Sequence, residues 1–335
     1  MRRRASPLSL ALLLVLEGCG RRSREIEADA SAAALVSAAD AARAPDADAS
    51  RNADASPTPS DDAGEADDLA GPPRTARSIG HTSVVLKLEL PGGKRAVFKP
   101  ASRRGPLRYR GEIAAYRLGA ALGLPNVPRA FFRAIDARAL SAAAGAGNAA
   151  TAELFTKEAI VSGDVVKGAL IPWIEGLGFV ELARDATWKT WLRRDGVIPG
   201  DQRTRAQEIS TLVCFDFLTG NWDRWSGGNV GLDKASGRLL FIDNDGAFFE
   251  VPPTDALQKN KRLLIAIERF SRSFIAQVRA LDDDALDRAI GDESPGVALL
   301  SARALAGVHQ RRRELLAIVD AKRADAGDDA LLPFP

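Results

Sequence analysis

The sequence predicts an α+β chain of two lobes, a small β-rich one and then a mainly helical one, behind a long non-globular leader. Three observations predict it. Between residues 84 and 175 apolar residues alternate with polar ones, or come in short bursts bounded by Gly and Pro, as strands require. Beyond residue 187 they recur at helical spacing. Between these regimes and the C-terminus lies Phe215 to Phe249, FDFLTGNWDRWSGGNVGLDKASGRLLFIDNDGAFF, which ends a helix, crosses a polar loop and returns as an apolar strand tipped with acidic residues.

The chain has 335 residues, room for two domains. Its 46 Lys and Arg nearly balance 44 Asp and Glu, and no basic stripe appears, which argues against a nucleic-acid partner. The two cysteines and two histidines stand at unrelated spacings and cannot build a zinc site or a disulfide framework. Cys214, inside LVCFDFL, reads as a small buried hydrophobe.

Residues 1–19 carry three arginines and then an apolar run too short to span a bilayer comfortably, the pattern of a secretory signal. The run closes on LEGC, which resembles a bacterial lipoprotein processing box with Cys19 as the lipidated residue. The expectation is a lipid anchor on Cys19 in the cell envelope, at the outer membrane since Gly20 and not Asp follows; a plain signal peptide cut nearby is the alternative. Residues 20–73 are Ala, Asp, Ser and Pro without one aromatic. So little apolar surface cannot offset chain entropy of about 1–2 kcal/mol per residue, and a disordered tether is expected.

Residues 84–90 and 95–100 alternate around the turn ProGlyGlyLys at 91–94 and predict a β-hairpin. Gly80 to Ser83, just before it, is either a plain turn or a loop whose amides cover phosphate. Lys99 ends the return strand ValPheLys. Residues 110–123 form an amphipathic helix with Glu112 in its first turn, where the helix dipole favours a carboxylate. Strands are expected at 130–135, 154–161 and 168–175, with an Ala- and Gly-rich surface loop at 136–151. Backbone groups between Ile171 and Ile174 sit where the chain leaves the first lobe; Pro172 has no N–H to offer, and Trp173 reads as core. Helices are expected at 187–194, 205–218, 259–281, 284–290 and 297–321, and no role is readable in the tail from 323. The domains are therefore 1–19 signal, 20–73 tether, 74–170 first lobe, 171–322 second lobe and 323–335 tail.

Within 215–249, Asp223 is followed by Asn229 and, past the strand 238–242, by Asp243. Each of these residues alone fits a turn, since Asp and Asn tolerate positive φ and bond their own backbone. In this order they form a phosphoryl-transfer layout: one Asp to orient a hydroxyl, an Asn and a second Asp for a metal.

Four blocks carry a family resemblance: PheLysPro at 98–100, RGEIAAYRLGAALGLPNVP at 110–128, DFLTGNWDR at 216–224 and IDNDGAF at 242–248. Together they resemble the secretory-pathway kinases of the four-jointed and Golgi casein kinase group, and more distantly HipA-, CotH- and phosphatidylinositol 3-kinase-like kinases. The resemblance covers about residues 79–321. It implies a protein-kinase-like fold, ATP with Mg²⁺ or Mn²⁺, and transfer of the γ-phosphoryl to a hydroxyl on protein Ser/Thr, or on a glycan or lipid headgroup. A nucleotide-binding scaffold without turnover, or adenylyl transfer, remains open. Carried over, Lys99 binds the α/β-phosphates and Gly80 covers them. Backbone groups from Ile171 to Ile174 would hydrogen-bond the adenine. Glu112 pairs with Lys99 and helps hold the metal with Asp243 and Asn229, and Asp223 is the catalytic carboxylate. Trp225 stands where His is frequent, Asn229 is one residue further from Asp223 than usual, and Asp245 rivals Asp243.

Overall fold

Five antiparallel strands in the order β1-β2-β3-β5-β4 build the first lobe. They are β1 Thr75–Ser78, β2 Leu86–Glu89, β3 Arg95–Pro100, β4 Phe131–Asp136 and β5 Val165–Pro172. The structure, a computed structural model, describes residues 68–80 and 83–335. The expected signal, Cys19 and the tether up to residue 67 lie outside the described residues, as do His81 and Thr82. Among the described residues no helix is long and apolar enough to cross a membrane.

Period-2 alternation gives this sheet two unlike faces. Ala96 and Phe98 of β3 point to the back, with Leu86, Leu88, Val166 and Leu170, into one apolar cluster. Lys87, Val97, Lys99 and Ile171 share the front: Lys87 opposes Val97, and Val97 opposes Ile171.

The back face is covered by two helices that the sequence reading missed. Residues 137–158 form α2 (Ala137–Gly147) and α3 (Ala149–Glu158), not a loop and a strand. Asp136 and Asn148 explain the difference. Each accepts a bond from the backbone N–H three residues on, at 2.8 and 2.7 Å, and so starts a helix in an Ala-rich run of high helix propensity. Leu140, Ala143, Ala144 and Phe155 then pack on the sheet. Burying a side chain such as Phe155 contributes about 1.5–3 kcal/mol.

Between the lobes runs α1, Tyr109–Ala121. The second lobe holds α4 (Thr187–Trp191), α5 (Arg203–Thr219) and a three-stranded sheet of β6 (Leu177–Phe179), β7 (Val230–Asp233) and β8 (Leu239–Phe241). There follow α6 (Thr254–Ala266), α7 (Arg272–Ala280), α8 (Asp283–Ile290), the hairpin β9 (Asp292–Ser294) with β10 (Val297–Ala298), α9 (Ala302–Ala326) and α10 (Asp328–Leu331). The helix expected over 259–281 is two. Ser271 caps α7 by accepting the Phe274 N–H, and the extended residues before it bond sideways, Glu268 N–H to Leu192 and Phe270 N–H to Leu331.

The tail is no appendage. Leu331, Leu332 and Phe334 are buried in the main core, and the Arg272 N–H donates to the Phe334 carbonyl at 2.9 Å. Five apolar and proline residues in a row gave no period to read, yet they close the base of the second lobe.

Candidate active site

Lys99 stands on the front of β3, and its ammonium meets two carboxylates from distant parts of the chain. It bonds Glu112 of α1, and Asp243 Oδ1 at 2.6 Å. Burial alone would lower the Lys99 pKa. The Asp243, Glu112 and Asp245 carboxylates outweigh it and hold the value well above the ordinary lysine range, so the ammonium stays charged. Lys99 in turn holds the Asp243 carboxyl below the usual carboxylate range, against its burial.

Two glycines bring these segments together. A Cβ on Gly111 would stand 2.5 Å from the Asn244 carbonyl, so only glycine lets α1 lie on the Asp243–Gly246 turn. One on Gly246 would stand 3.0 Å from both Asn221 Oδ1 and Asp223 Cβ, which puts Asp223 against the other side of the same turn. The Trp222 N–H donates to the Gly246 carbonyl at 3.2 Å. Asp243 adopts φ 57°, left-handed backbone that Asp tolerates at modest cost. The turn reading and the phosphoryl-transfer reading therefore describe one and the same residue.

α5 delivers the loop. Gly220 ends the helix at φ 67°, the Asn221 N–H returns to the Asp216 carbonyl at 3.0 Å, and the Asp223 N–H is held by Asn221 Oδ1 at 3.1 Å. The Asn229 amide donates to the Asp223 carbonyl at 2.8 Å, which leaves Asn229 Oδ1 as an acceptor.

Arg224 and Arg108, to which sequence reasoning gave no role, and Asp245, the rival to Asp243, complete the site. Arg224 is wholly buried. Its Nε bonds both oxygens of Asp216 at 3.1 Å, one Nη reaches the carbonyls of Asn229 and Ile242, and the other reaches Asn244 Oδ1 at 2.7 Å. It thus ties the loop after Asp223 to the residue before Asp243. Asp216 is pushed up to about 6 by burial, with Arg224 pulling the other way. Arg108 meets Asp245 at 2.5 Å, and burial pushes the Asp245 carboxyl up to about 6 against the pull of Lys99. Only its place beside Asp223 in the sequence hinted at Arg224, and nothing singled out Arg108; Asp245, read as a rival to Asp243, instead pairs with Arg108.

The other expected residues are less central. A Cβ on Gly80 would lie 2.2 Å from the Ser83 carbonyl, so Gly80 makes a tight turn, and Ser83 and Val85 line the cavity beside Lys99. Ile171 needs correction. The Trp173 N–H donates to the Arg95 carbonyl at 3.1 Å, and by strand alternation the Val97–Ile171 pair exchanges both of its bonds. The Ile171 backbone is thus committed to β3 and has nothing to give a base. Ile174 lies past the strand, in the connection to β6.

As for a metal, no group of three or more His, Cys, Asp and Glu among the described residues is arranged to hold one. The oxygens on offer nevertheless suit a hard cation such as Mg²⁺ or Mn²⁺. Lys99 takes only Oδ1 of Asp243, and Asn229 Oδ1 is an uncharged oxygen in the same loop system. Glu112 is differently used: Oε1 accepts from Lys99 and the Asn244 N–H, Oε2 from the Asn244 amide at 3.5 Å. It would reach a metal only by giving up these partners.

The sheet lobe, the helical lobe and the cleft between them define a two-lobed, protein-kinase-like fold. More narrowly, it is the fold of the Golgi casein kinase group that the four sequence blocks resemble. A Golgi casein kinase structure with Mn/ADP bound superposes with a TM-score of 0.63 at 14% identity, over 82% of this chain and 79% of that one. A second Golgi casein kinase structure gives 0.60 at 13%, over 82% and 78%. Hydra Fam20 with sugar gives 0.60 at 17%, over 79% and 89%. No family model matches the chain, and no curated protein matches it by sequence.

Proposed function

We propose that this chain is an exported atypical kinase that moves the γ-phosphoryl of ATP to a hydroxyl acceptor, protein Ser/Thr first. One observation carries the reading: a single ammonium, Lys99, bridges Glu112 and Asp243, brought from a helix and from a strand tip 131 residues apart in the sequence.

Lys99 holds the α- and β-phosphates, and Glu112 keeps its side chain aimed into the cleft. Asp223, fixed by Asn221 and backed by Gly246, takes the hydrogen bond of the acceptor hydroxyl as its oxygen attacks phosphorus. The bond to the ADP oxygen breaks as the new P–O bond forms, and the hydroxyl proton leaves by way of Asp223. Asp243 and Asn229 would hold Mg²⁺ or Mn²⁺. The ion, when bound, neutralises charge on the phosphates. Positioning and charge neutralisation supply most of the rate, since little covalent work falls to the protein. The first lobe, 74–170, extends to Pro172 at the end of β5, and the second, to 322, takes in the tail. The leader sends the protein out of the cytoplasm and tethers it by lipid on Cys19.

A glycan hydroxyl is the second reading, favoured by the sugar present in the hydra Fam20 structure. The test incubates the full chain with Mn²⁺ and γ-labelled ATP, with acidic peptides and with sugars side by side. Label on either acceptor, lost in Asp223→Ala, supports a kinase and names its acceptor class. Label from α-labelled ATP instead marks adenylyl transfer. No label from either, with ATP bound, marks a scaffold and overturns the proposal.

A further inference from the structure

Where the base of a nucleotide would lie, the main chain has no donor to offer across three residues. Ile171 is committed to Val97, Pro172 has no N–H, and the Trp173 N–H goes to Arg95. Over these three residues only side chains are left to read a base. The sheet puts Lys87, Val97 and Ile171 in one row on the face that carries Lys99, two residues along β3 from it, or about 7 Å. Trp173 ends the next row, beside Arg95, which pairs with Glu175 at the rim. The Trp173 ring is not packed away as core: it is half-buried, and the Lys87 ammonium sits over it, 3.9 Å from its centroid.

A flat aromatic ring two rows beyond the phosphate-binding lysine, with an ammonium from the row between, is a base platform with a donor at its edge. Stacking of a base outweighs the exposed cation–π contact that now covers the ring, so a purine would displace Lys87 to its own rim. There the ammonium has three donors and no acceptor. Guanine presents two neighbouring acceptors, O6 and N7, whereas adenine sets its N7 acceptor beside an N6 donor.

We infer that the nucleotide base stacks on Trp173 and is read by Lys87, so that the cleft takes a guanine nucleotide at least as tightly as an adenine one. The inference rests on the nucleotide-binding reading above and adds the identity of the donor.

Calorimetric titration of the full chain with Mn²⁺ and either ATP or GTP tests it at equilibrium, apart from turnover. The expected Kd for GTP is equal to or below that for ATP. Trp173→Ala weakens both about tenfold, and Trp173→Phe, which keeps a stacking ring, restores most of the loss. Lys87→Met weakens GTP about tenfold and ATP less. Parent protein that binds ATP ten times more tightly than GTP overturns the inference and leaves the kinase reading standing. So does Trp173→Ala with both affinities unchanged, provided Lys99→Ala abolishes them. A folded parent chain that binds neither nucleotide sinks both readings.

Discussion

Arg224 Nε lies 3.1 Å from each oxygen of Asp216, in a pair that water does not reach. The guanidinium spends its other donors on Asn229, Ile242 and Asn244, so loop and strand tip move as one. Arg224→Met leaves a buried carboxylate without a counter-charge and should cost about 3–5 kcal/mol in urea unfolding. Arg224→Lys keeps the charge, but its three donors radiate from one atom and cannot reach all four partners. It should unfold at intermediate urea and lower kcat far more than it raises KM. A lysine variant with parental kcat would show that the link has no part in placing Asp223 and Asp243.

Asp223→Ala should lower kcat by about 10²–10⁴-fold with little change in KM. Lys99→Ala should instead weaken nucleotide binding, since it removes the cation proposed to hold the phosphates. Opposite patterns, a KM effect at 223 and a kcat effect alone at 99, would exchange the two assignments.

Asp216 also makes stability depend on pH. Its carboxyl ionises at about 6 in the folded protein and near 3.8 when unfolded, because burial disfavours the charge. Between these values the folded state holds a proton that the unfolded state has released. The contribution of Asp216 to stability is therefore full below about pH 4 and declines as pH rises to 6, on the order of 3 kcal/mol in all. Asp216→Asn should flatten this slope. Asp245, also pushed up to about 6, keeps its own slope in both proteins, so the difference between parent and variant urea curves at pH 4.5 and 7 isolates Asp216. An unchanged difference between the two pH values would contradict the assignment.

Phe334→Ala tests the closing strap of the second lobe. The ring is 1% exposed, with the Arg203 guanidinium 5.7 Å away over it. Truncation should cost about 3–5 kcal/mol, as for other buried aromatics, and lower Tm by several degrees. A parental Tm would mean the tail is ornamental.

How far the sequence could be read follows from the physics of each element. β3 and α1 were legible because period-2 alternation and a helical face are strong local signals, and they set Lys99 and Glu112 on facing surfaces. Order and resemblance put Asp243 and Lys99 in one site, but not in direct contact; no local pattern encodes a bond over 144 residues. α2 and α3 were misread because Ala and Gly fit a loop as well as a helix, and the deciding signals were two capping side chains, Asp136 and Asn148. Arg224 looked like one more polar loop residue. Its value lies in five hydrogen bonds that form only when four separate backbone segments meet.

Glu293 of β9 carries a consequence of its own. Buried in the second lobe, it takes Arg110 and the Tyr109 hydroxyl from the head of α1, with Lys167 of β5 3.7 Å away, while Arg117 further along α1 donates to the Ile290 and Asp292 carbonyls. α1 is pinned at both ends to a hairpin that takes no part in the chemistry. Swinging this helix outward would take Arg110 and Tyr109 from a buried carboxylate, so α1, and with it Glu112, is held to one setting by residues remote from the Lys99 cluster.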